Sequence, residues 1–475
     1  MTTRFFETNS PWSRALLACA VLFCVAGCTV GPNYKRPNVD VPGIYRDLPS
    51  DQPAAAGSAS LGDQKWWEVF QDNTLQGLVR AAIDKNYDVR IAAARVLEAQ
   101  AQLGITRADQ FPSLGGGGNI NAQQSPAIGP IPSYQTNLGE LTLSGAWNLD
   151  FWGKYRRATE AARASLLASE WARQEVIATL VANVASSYFQ LRELDLELEI
   201  SKRTLDSRKE SLDLTRTLTE HGIDTLLDQR QAEQLVYTAG AQVPDLERQI
   251  AQQENAVSIL LGNNPGAVPR GLKLTDQPHP PDVPAGLPSA LLERRPDVRQ
   301  SEENLVAANA RIGVARAAYF PQISLTGNGG YESSALTNLF TGPAGLWNAG
   351  AALTQPIFEG GRLRSGVQLA EAQRQELTLT YQQTIQGAFR DVANALIAYQ
   401  KNREFRMQEE QLTASAQDAA QLSEMRFKAG ATDYLEVLTN ETNSFNDELT
   451  LVQAQFNELQ ALVQLYQALG GGWQQ

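Results

Sequence analysis

The sequence predicts an α+β membrane protein, internally duplicated, with helices far longer than those of a globular domain. Three observations carry this expectation. The first is a repeat. Asp88-Val89-Arg90, Gly104, Arg107 and Phe111-Pro112 return as Asp297-Val298-Arg299, Gly313, Arg316 and Phe320-Pro321, each 209 residues later. Phe151, Gly153 and Arg157 return as Phe358, Gly360 and Arg364 at 207, and Gly222, Leu227, Asp228 and Leu261-Gly262 return as Gly430, Leu435, Glu436 and Leu469-Gly470 at 208. One offset held through three segments means two similar halves packed as a pseudo-symmetric pair. The second observation is a stretch of period-two alternation in each half. The third is a run of 67 residues in each half with no proline and almost no glycine.

The N-terminus reads as an export signal over residues 1–27. Arg4 and Arg14 supply positive charge, and the apolar run Ala15–Ala26 is too short to span a membrane. It ends in Val25-Ala26-Gly27-Cys28, which resembles a bacterial lipoprotein box with Cys28 as the lipidated residue. The bland alternative is an ordinary signal with an incidental cysteine. Thr29 follows, not the aspartate that retains many lipoproteins in the inner membrane, so outer-membrane delivery is expected. Cys19 and Cys24 leave with the signal, so the mature chain is expected to hold no disulfide. No cofactor is expected beyond the covalent lipid on Cys28, and two histidines make no metal site. A net charge of −12 argues against nucleic acid, which demands a basic footprint.

Residues 28–62, rich in Pro, Gly, Ser and Ala, read as a lipidated extended arm. The first repeat spans 63–262. It opens on a helical pattern from about Leu75 to Arg107, stopped by Phe111-Pro112. A hairpin is expected over about 112–152. Leu141, Leu143, Gly145, Trp147, Leu149 and Phe151 place one side in an apolar medium, and Glu140, Thr142, Ser144, Asn148 and Asp150 face water. The glycines 115–118 lie in the preceding strand, and no Lys-Ser/Thr follows to make a phosphate loop. A helix over 154–220 follows. Ile177, Val184, Leu191, Leu198, Leu205 and Leu212 are spaced by seven, as in a coiled-coil seam. Gly222 ends it, and a helix returns over 225–261, with a kink expected at Pro244.

Seven prolines mark 263–288 as the linker. The second repeat, 289–470, has a hairpin over about 321–358 and helices over 362–428 and 433–469, followed by a tail at 471–475. Its seam is expected at Ile385, Val392 and Tyr399, resuming after a six-residue step at Phe405, Leu412 and Ala419.

Four strands do not close a barrel, and an open edge in lipid leaves backbone groups unsatisfied. Identical copies must therefore pool their hairpins. Two copies would give eight strands and a filled interior; three would give twelve and an open pore. Asn, Gln, Ser and Gly on the polar face suit a wet lumen.

Several motifs together resemble the outer-membrane factors of the TolC/OprM type, the NodT group of efflux lipoproteins. They are Cys28 followed by Thr29-Val30-Gly31-Pro32-Asn33-Tyr34-Lys35-Arg36-Pro37, Lys65-Trp66-Trp67, Arg294 to Arg299, Ala318-Tyr319-Phe320-Pro321, and Leu469-Gly470-Gly471-Gly472-Trp473. The resemblance covers the mature chain. It implies a homotrimer with a twelve-stranded outer-membrane barrel, four strands per protomer, on an α-helical coiled-coil tunnel in the periplasm. It further implies a periplasmic adaptor and an inner-membrane pump of the RND type, with this chain as the passive exit duct for drugs or other small molecules.

The resemblance also implies site residues. The turns at Gly222 and Gly430 would form the adaptor-docking tip, with Arg426, Phe427, Lys428 and Gly430 fitting an arginine–aromatic–x–x–glycine pattern that the first half lacks. Leu435, Glu436 and Thr439, with Asp228 as the first-half counterpart of Glu436, occupy the place of the tunnel gate. Thr439 stands where many members have aspartate, and Thr432 where the TolC branch has an arginine, which shifts the expected gate toward Leu435 and Glu436. The competing readings are glycines that merely cap helices and carboxylates that are merely solvated. Trp147, Trp152 and Trp347 are candidate lipid-interface aromatics. The arginines at 90, 107, 299 and 316 are expected to be structural ion-pair partners.

Two other functions compete. One is an exit duct for secreted proteins or metal ions, weakly disfavoured for soft metals by only three Met and two His. The other is a structural coiled-coil lipoprotein, which would need no lipid-facing strands. No nucleophile–base pair, metal cluster or nucleotide loop points to an enzyme.

Overall fold

The computed structural model describes residues 29–43, 45, 60–278 and 288–474. The signal segment and Cys28 lie outside the described residues. Seven long helices and four strands occur in chain order: α1 (Asn73–Lys85), α2 (Tyr87–Ala108), β1 (Ser113–Ser125), β2 (Tyr134–Leu149), α3 (Lys154–Glu220), α4 (Leu226–Leu260), α5 (Pro296–Ala317), β3 (Gln322–Ser333), β4 (Gly345–Thr354), α6 (Arg362–Lys428) and α7 (Tyr434–Ala468). The duplication is visible in the lengths. Helices α2 and α5 have 22 residues each, α3 and α6 have 67, and α4 and α7 have 35.

The helical pattern from Leu75 to Arg107 is two helices, not one. Asn86 breaks it. Its side-chain oxygen accepts from the Asp88 and Val89 amides at 2.7 and 3.2 Å, an N-cap that starts α2. Its amide nitrogen donates to the Leu260 carbonyl at the end of α4, 3.0 Å away. The second repeat makes the same joint with Arg295, which donates to the Ala468 carbonyl at 3.2 Å and pairs with Asp297 at 2.7 Å.

The seam of the second repeat also differs from the expectation. Phe405 and Leu412 are exposed. The seven-residue spacing continues unbroken through Tyr399, Arg406, Thr413 and Ala420, the counterparts of Leu191, Leu198, Leu205 and Leu212. Arg406 pairs with Glu458 of α7, whose side chain is 1% exposed, and Thr413 donates to the Asp447 carbonyl at 3.1 Å. Polar residues hold the seam where apolar ones were expected. Helix α4 runs unbroken through Pro244, and β4 stops at Thr354, two residues before Pro356, which has no amide to extend the ladder.

The described residues form two compact units. The first takes residues 29–38, 96–169 and 301–381 and holds the sheet. There the arm is stitched to both repeats. The Val30 amide donates to the Trp152 carbonyl at 3.0 Å, Arg36 pairs with Glu302 at 2.6 Å, and Asn309 donates to the Pro32 carbonyl at 2.9 Å. Gly31 has φ +106°, and a Cβ there would lie 2.5 Å from the Gly313 Cα, so the two backbones cross where only glycine fits. The second unit, residues 39–95, 170–300 and 382–474, contains the hydrophobic core, built from Leu75, Val79, Val184, Tyr188, Leu191, Val392, Leu459 and Leu465.

Candidate functional site

The four strands form one antiparallel sheet in the order β1-β2-β3-β4. Its register sorts side chains by chemistry. Leu114 pairs with Gly145, Leu141 with Tyr331, Trp147 with Leu325, Leu325 with Ala351, Ile323 with Leu353, and Gly329 with Trp347. Directly paired residues share a face, so one face carries Leu114, Leu141, Leu143, Trp147, Ile323, Leu325, Leu353 and Trp347, with small residues between. The opposite face carries Asn119, Asn121, Thr142, Ser144, Asn148, Ser324, Thr326, Asn328 and Asn348. Within the chain β1 and β4 are both edge strands, each with a row of unpaired backbone groups. This is a piece of wall with an apolar side, a wet side and two open edges.

The three tryptophans separate. Trp347 is 82% exposed on the apolar face near the loop end of the sheet. Trp147 lies on the same face near the helix end and donates to the Gln110 carbonyl at 3.0 Å. Trp152 is packed instead. It stacks on Phe320 with centroids 4.7 Å apart and donates to the Pro321 carbonyl at 2.8 Å.

At the far end of the long helices the two turns are built alike. The Gly222 amide donates to the Thr219 carbonyl and the Ile223 amide to Leu218, at 3.0 and 2.9 Å; Gly430 donates to Phe427 and Ala431 to Arg426, at 2.8 and 2.9 Å. These are Schellman closures, and φ of +72° and +70° explains glycine at both. Nothing lies within 4 Å of a Cβ placed on either, so both turns are open on their outer side.

The carboxylates singled out from the sequence are held locally. Asp228 closes a capping box, accepting from the Thr225 amide at 3.1 Å. Glu436 accepts from Arg426 at 2.7 Å and from the Thr432 hydroxyl. Thr432 thus anchors the acid directly. Thr439 donates to the Leu435 carbonyl at 2.8 Å, while the Leu435 side chain is 55% exposed. Lys428 pairs with Glu424. Phe427 is half-buried and packs edge-on against Tyr434 at 5.5 Å, so it belongs to the inside of the turn region. Asp224, beside the first turn, is pushed upward in pKa by burial and by Asp228.

The recurring arginines have mixed roles. Arg316 pairs with Glu371 at 2.7 Å and Arg299 with Glu293 at 3.3 Å. Arg299 also lies over the Trp171 ring and Arg90 over Tyr87. Two polar clusters of the second unit had no sequence signal. Buried Asp72 accepts from Tyr188, Gln277 and the Leu272 amide at 2.8, 3.1 and 2.9 Å. Arg208 lies buried among Leu235, Phe445 and Glu441, and its counterpart in the second repeat, Ala416, gave no hint of it. No helix among the described residues is long and apolar enough to cross a membrane, and no group of three metal-ligating side chains occurs among them.

The family model described as outer membrane efflux protein matches residues 78–263 and 287–471. The probable efflux pump outer membrane protein TtgC of Pseudomonas putida is 34% identical over 470 residues, covering 97% of this chain and 96% of that one. The cation efflux system protein CusC of Escherichia coli is 34% identical over 461 residues, covering 96% and 99%. A solved structure of CusC superposes with a TM-score of 0.85 at 32% identity over 94% of this chain and 100% of that chain. The open state of the Neisseria gonorrhoeae MtrE outer membrane channel superposes with a TM-score of 0.86 at 31% identity, covering 94% and 99%.

Proposed function

The chain belongs to the outer membrane efflux protein family, and from that premise we propose that it is the passive exit duct of a tripartite efflux system. It is an outer-membrane efflux channel and not an enzyme. In the proposed assembly three copies join β4 of one protomer to β1 of the next. Twelve strands then close with every ladder paired and the polar face turned to a water-filled lumen. The two-faced sheet with two open edges carries this reading. An anchor would also span no membrane and would have no use for such a wall.

The acyl chain on Cys28 would tether the arm to the outer membrane. The glycine turns would be the docking surface of a periplasmic adaptor, with Arg426 and Lys428 as its exposed cations and Phe427 as internal support. An RND-type pump in the inner membrane would supply the energy. Leu435, the residue of the expected gate with the most exposed apolar side chain, would narrow the lumen, and Glu436 and Asp228 would set the charge around it. Small organic solutes, as in the name of the toluene efflux protein TtgC, and metal cations, as in the name of CusC, are both supported as cargo classes.

A clean deletion strain challenged with drugs, solvents, detergents and metal salts tests the proposal. Broad sensitisation restored by the wild-type gene, but not by Gly430→Trp at equal expression, is expected. Sensitisation to metal salts alone would favour a cation duct. No sensitisation despite stable expression in the parent would refute the proposed role as exit duct for these solutes.

A further inference from the structure

We infer that Glu441, which lines a small polar cavity together with Arg208, is a proton-binding site that tightens the packing of α7 against α3 when the periplasm turns acidic. The argument starts from unsatisfied atoms. Arg208 Nε, Tyr434 Oη and Glu441 Oε2 are buried with no hydrogen-bond partner, although buried polar groups are almost always paired. Arg208 and Tyr434 are both 3% exposed. Beside Arg208 and Glu441 lies a cavity of about 270 Å³ lined by Arg203, Ser207, Glu424, Phe445 and Glu448. It is polar and large enough for several waters, which would bridge groups that do not touch.

Every helix around Glu441 contributes a charge or a dipole. From α3, Arg208 attracts it and Ser211 donates at 3.4 Å; from α6, Glu424 repels it and Lys428 attracts it; on α7 itself Tyr434 feels the charge of the same arginine. Arg203 is occupied by Glu448. From α4, Asp228 acts on Tyr434, and the Leu235 carbonyl accepts from Arg208 at 3.0 Å. Arg208 also lies 4.9 Å over the Phe445 ring. One arginine therefore joins α3, α4 and α7.

The repeat supplies an internal control. The first-repeat counterpart of Glu441 is Glu233, which is bound by Arg230 and Gln229 and held below the ordinary carboxylate range by those bonds. Glu441 goes the other way. Desolvation raises its pKa, Arg208 partly offsets this, and Glu424 adds to the rise. A carboxyl whose pKa is higher when buried than when hydrated favours the buried arrangement at low pH. That contribution is complete below the ordinary carboxylate pKa and is lost as pH rises through the higher value. A single site of this kind changes the ratio of tight to loose states by at most about tenfold per pH unit. The inference concerns the helix ends and stands whatever solute or partner uses the duct.

Spin labels at Lys209 on α3 and Thr439 on α7 of the full-length protein in lipid nanodiscs read the separation by pulsed dipolar spectroscopy. The wild type is expected to hold a short, narrow distance distribution at pH 4, below the ordinary carboxylate pKa, and to gain a longer component by pH 8. Glu441→Gln, isosteric and neutral, is expected to keep the short distribution at both pH values. Arg208→Ala is expected to populate the long one throughout. A wild-type distribution that does not change with pH overturns the inference. So does a Glu441→Gln protein that retains the full pH response, and this variant decides the matter even if Arg208→Ala fails to fold.

Discussion

Arg406→Ala tests the polar seam of the second repeat. The guanidinium is 15% exposed and its partner Glu458 is 1% exposed, and Arg406 also pairs with Glu410 on its own helix. Removing the arginine takes a charge partner from a carboxylate that has almost no access to water. Breaking a buried pair in this way costs about 3–5 kcal/mol. The second unit contains roughly 280 residues. At about 2.1 cal/mol/K per residue, its unfolding entropy is about 0.6 kcal/mol/K, so the loss corresponds to a fall of about 5–8 °C in melting temperature. The double variant Arg406→Met/Glu458→Leu removes both charges and fills the space with apolar volume, and such replacements are often neutral or stabilising. Melting followed by circular dichroism at one scan rate is expected to rank the double variant with the wild type and the single variant well below. A single variant melting within 1 °C of wild type (about 0.6 kcal/mol on the same entropy), or a double variant lower than the single, would refute the reasoning.

Three more outcomes are expected. Leu143→Arg places a charge on the apolar face and should cost about 2–4 kcal/mol if it sits near the bilayer midplane, lowering the yield of heat-modifiable assembled barrel on gels, whereas Ser144→Arg on the opposite face should assemble normally. Gly31→Ala combines a strained backbone, about 1–3 kcal/mol, with overlap at Gly313 costing about 1–3 kcal/mol; protease should then cut residues 29–43 faster than in Gly430→Ala, where only the backbone cost applies. Burial alone would raise the Asp72 pKa, but bonds from Tyr188, Gln277 and the Leu272 and Leu75 amides bring it below the ordinary range. Its contribution to stability is therefore present above that range and lost as pH falls through the lowered value. Tyr188→Phe should remove about 1–3 kcal/mol and shrink the loss of melting temperature between pH 5 and pH 3.

What could be read from the chain depended on which residues carried the instruction. Gly222 and Gly430 end their helices because each closing residue needs a positive φ, and glycine is visible in a sequence. Alternation from Leu141 to Leu149 gave the faces of the sheet because a strand's period is two and its two solvents differ. The break at Asn86 was hidden, since neither proline nor glycine marks it and a single side-chain oxygen makes the cap. The seam at Arg406 and Thr413 was misplaced because an apolar count favours Phe405 and Leu412, while the chain instead inserts an arginine whose partner lies 52 residues away. At the turns the two carboxylates expected near a gate are held locally, Asp228 in a capping box and Glu436 by Arg426, and the burial of Arg208 had no marker in composition or spacing.

The equal helix lengths restrict how this protein can be altered. Strands of 13, 16, 12 and 10 residues show that the wall tolerates unequal copies, but the helices of 67 and 35 residues recur at equal length. Joints fix both ends of each return helix: the glycine turn at one end, and Asn86 on Leu260 or Arg295 on Ala468 at the other. Adding one residue to α3 would rotate everything beyond it by about 100° and drag the seam off its partners. A change of reach must therefore come in whole heptads, added to α3, α4, α6 and α7 together, and a family of such ducts should differ in length by discrete steps of about 10 Å.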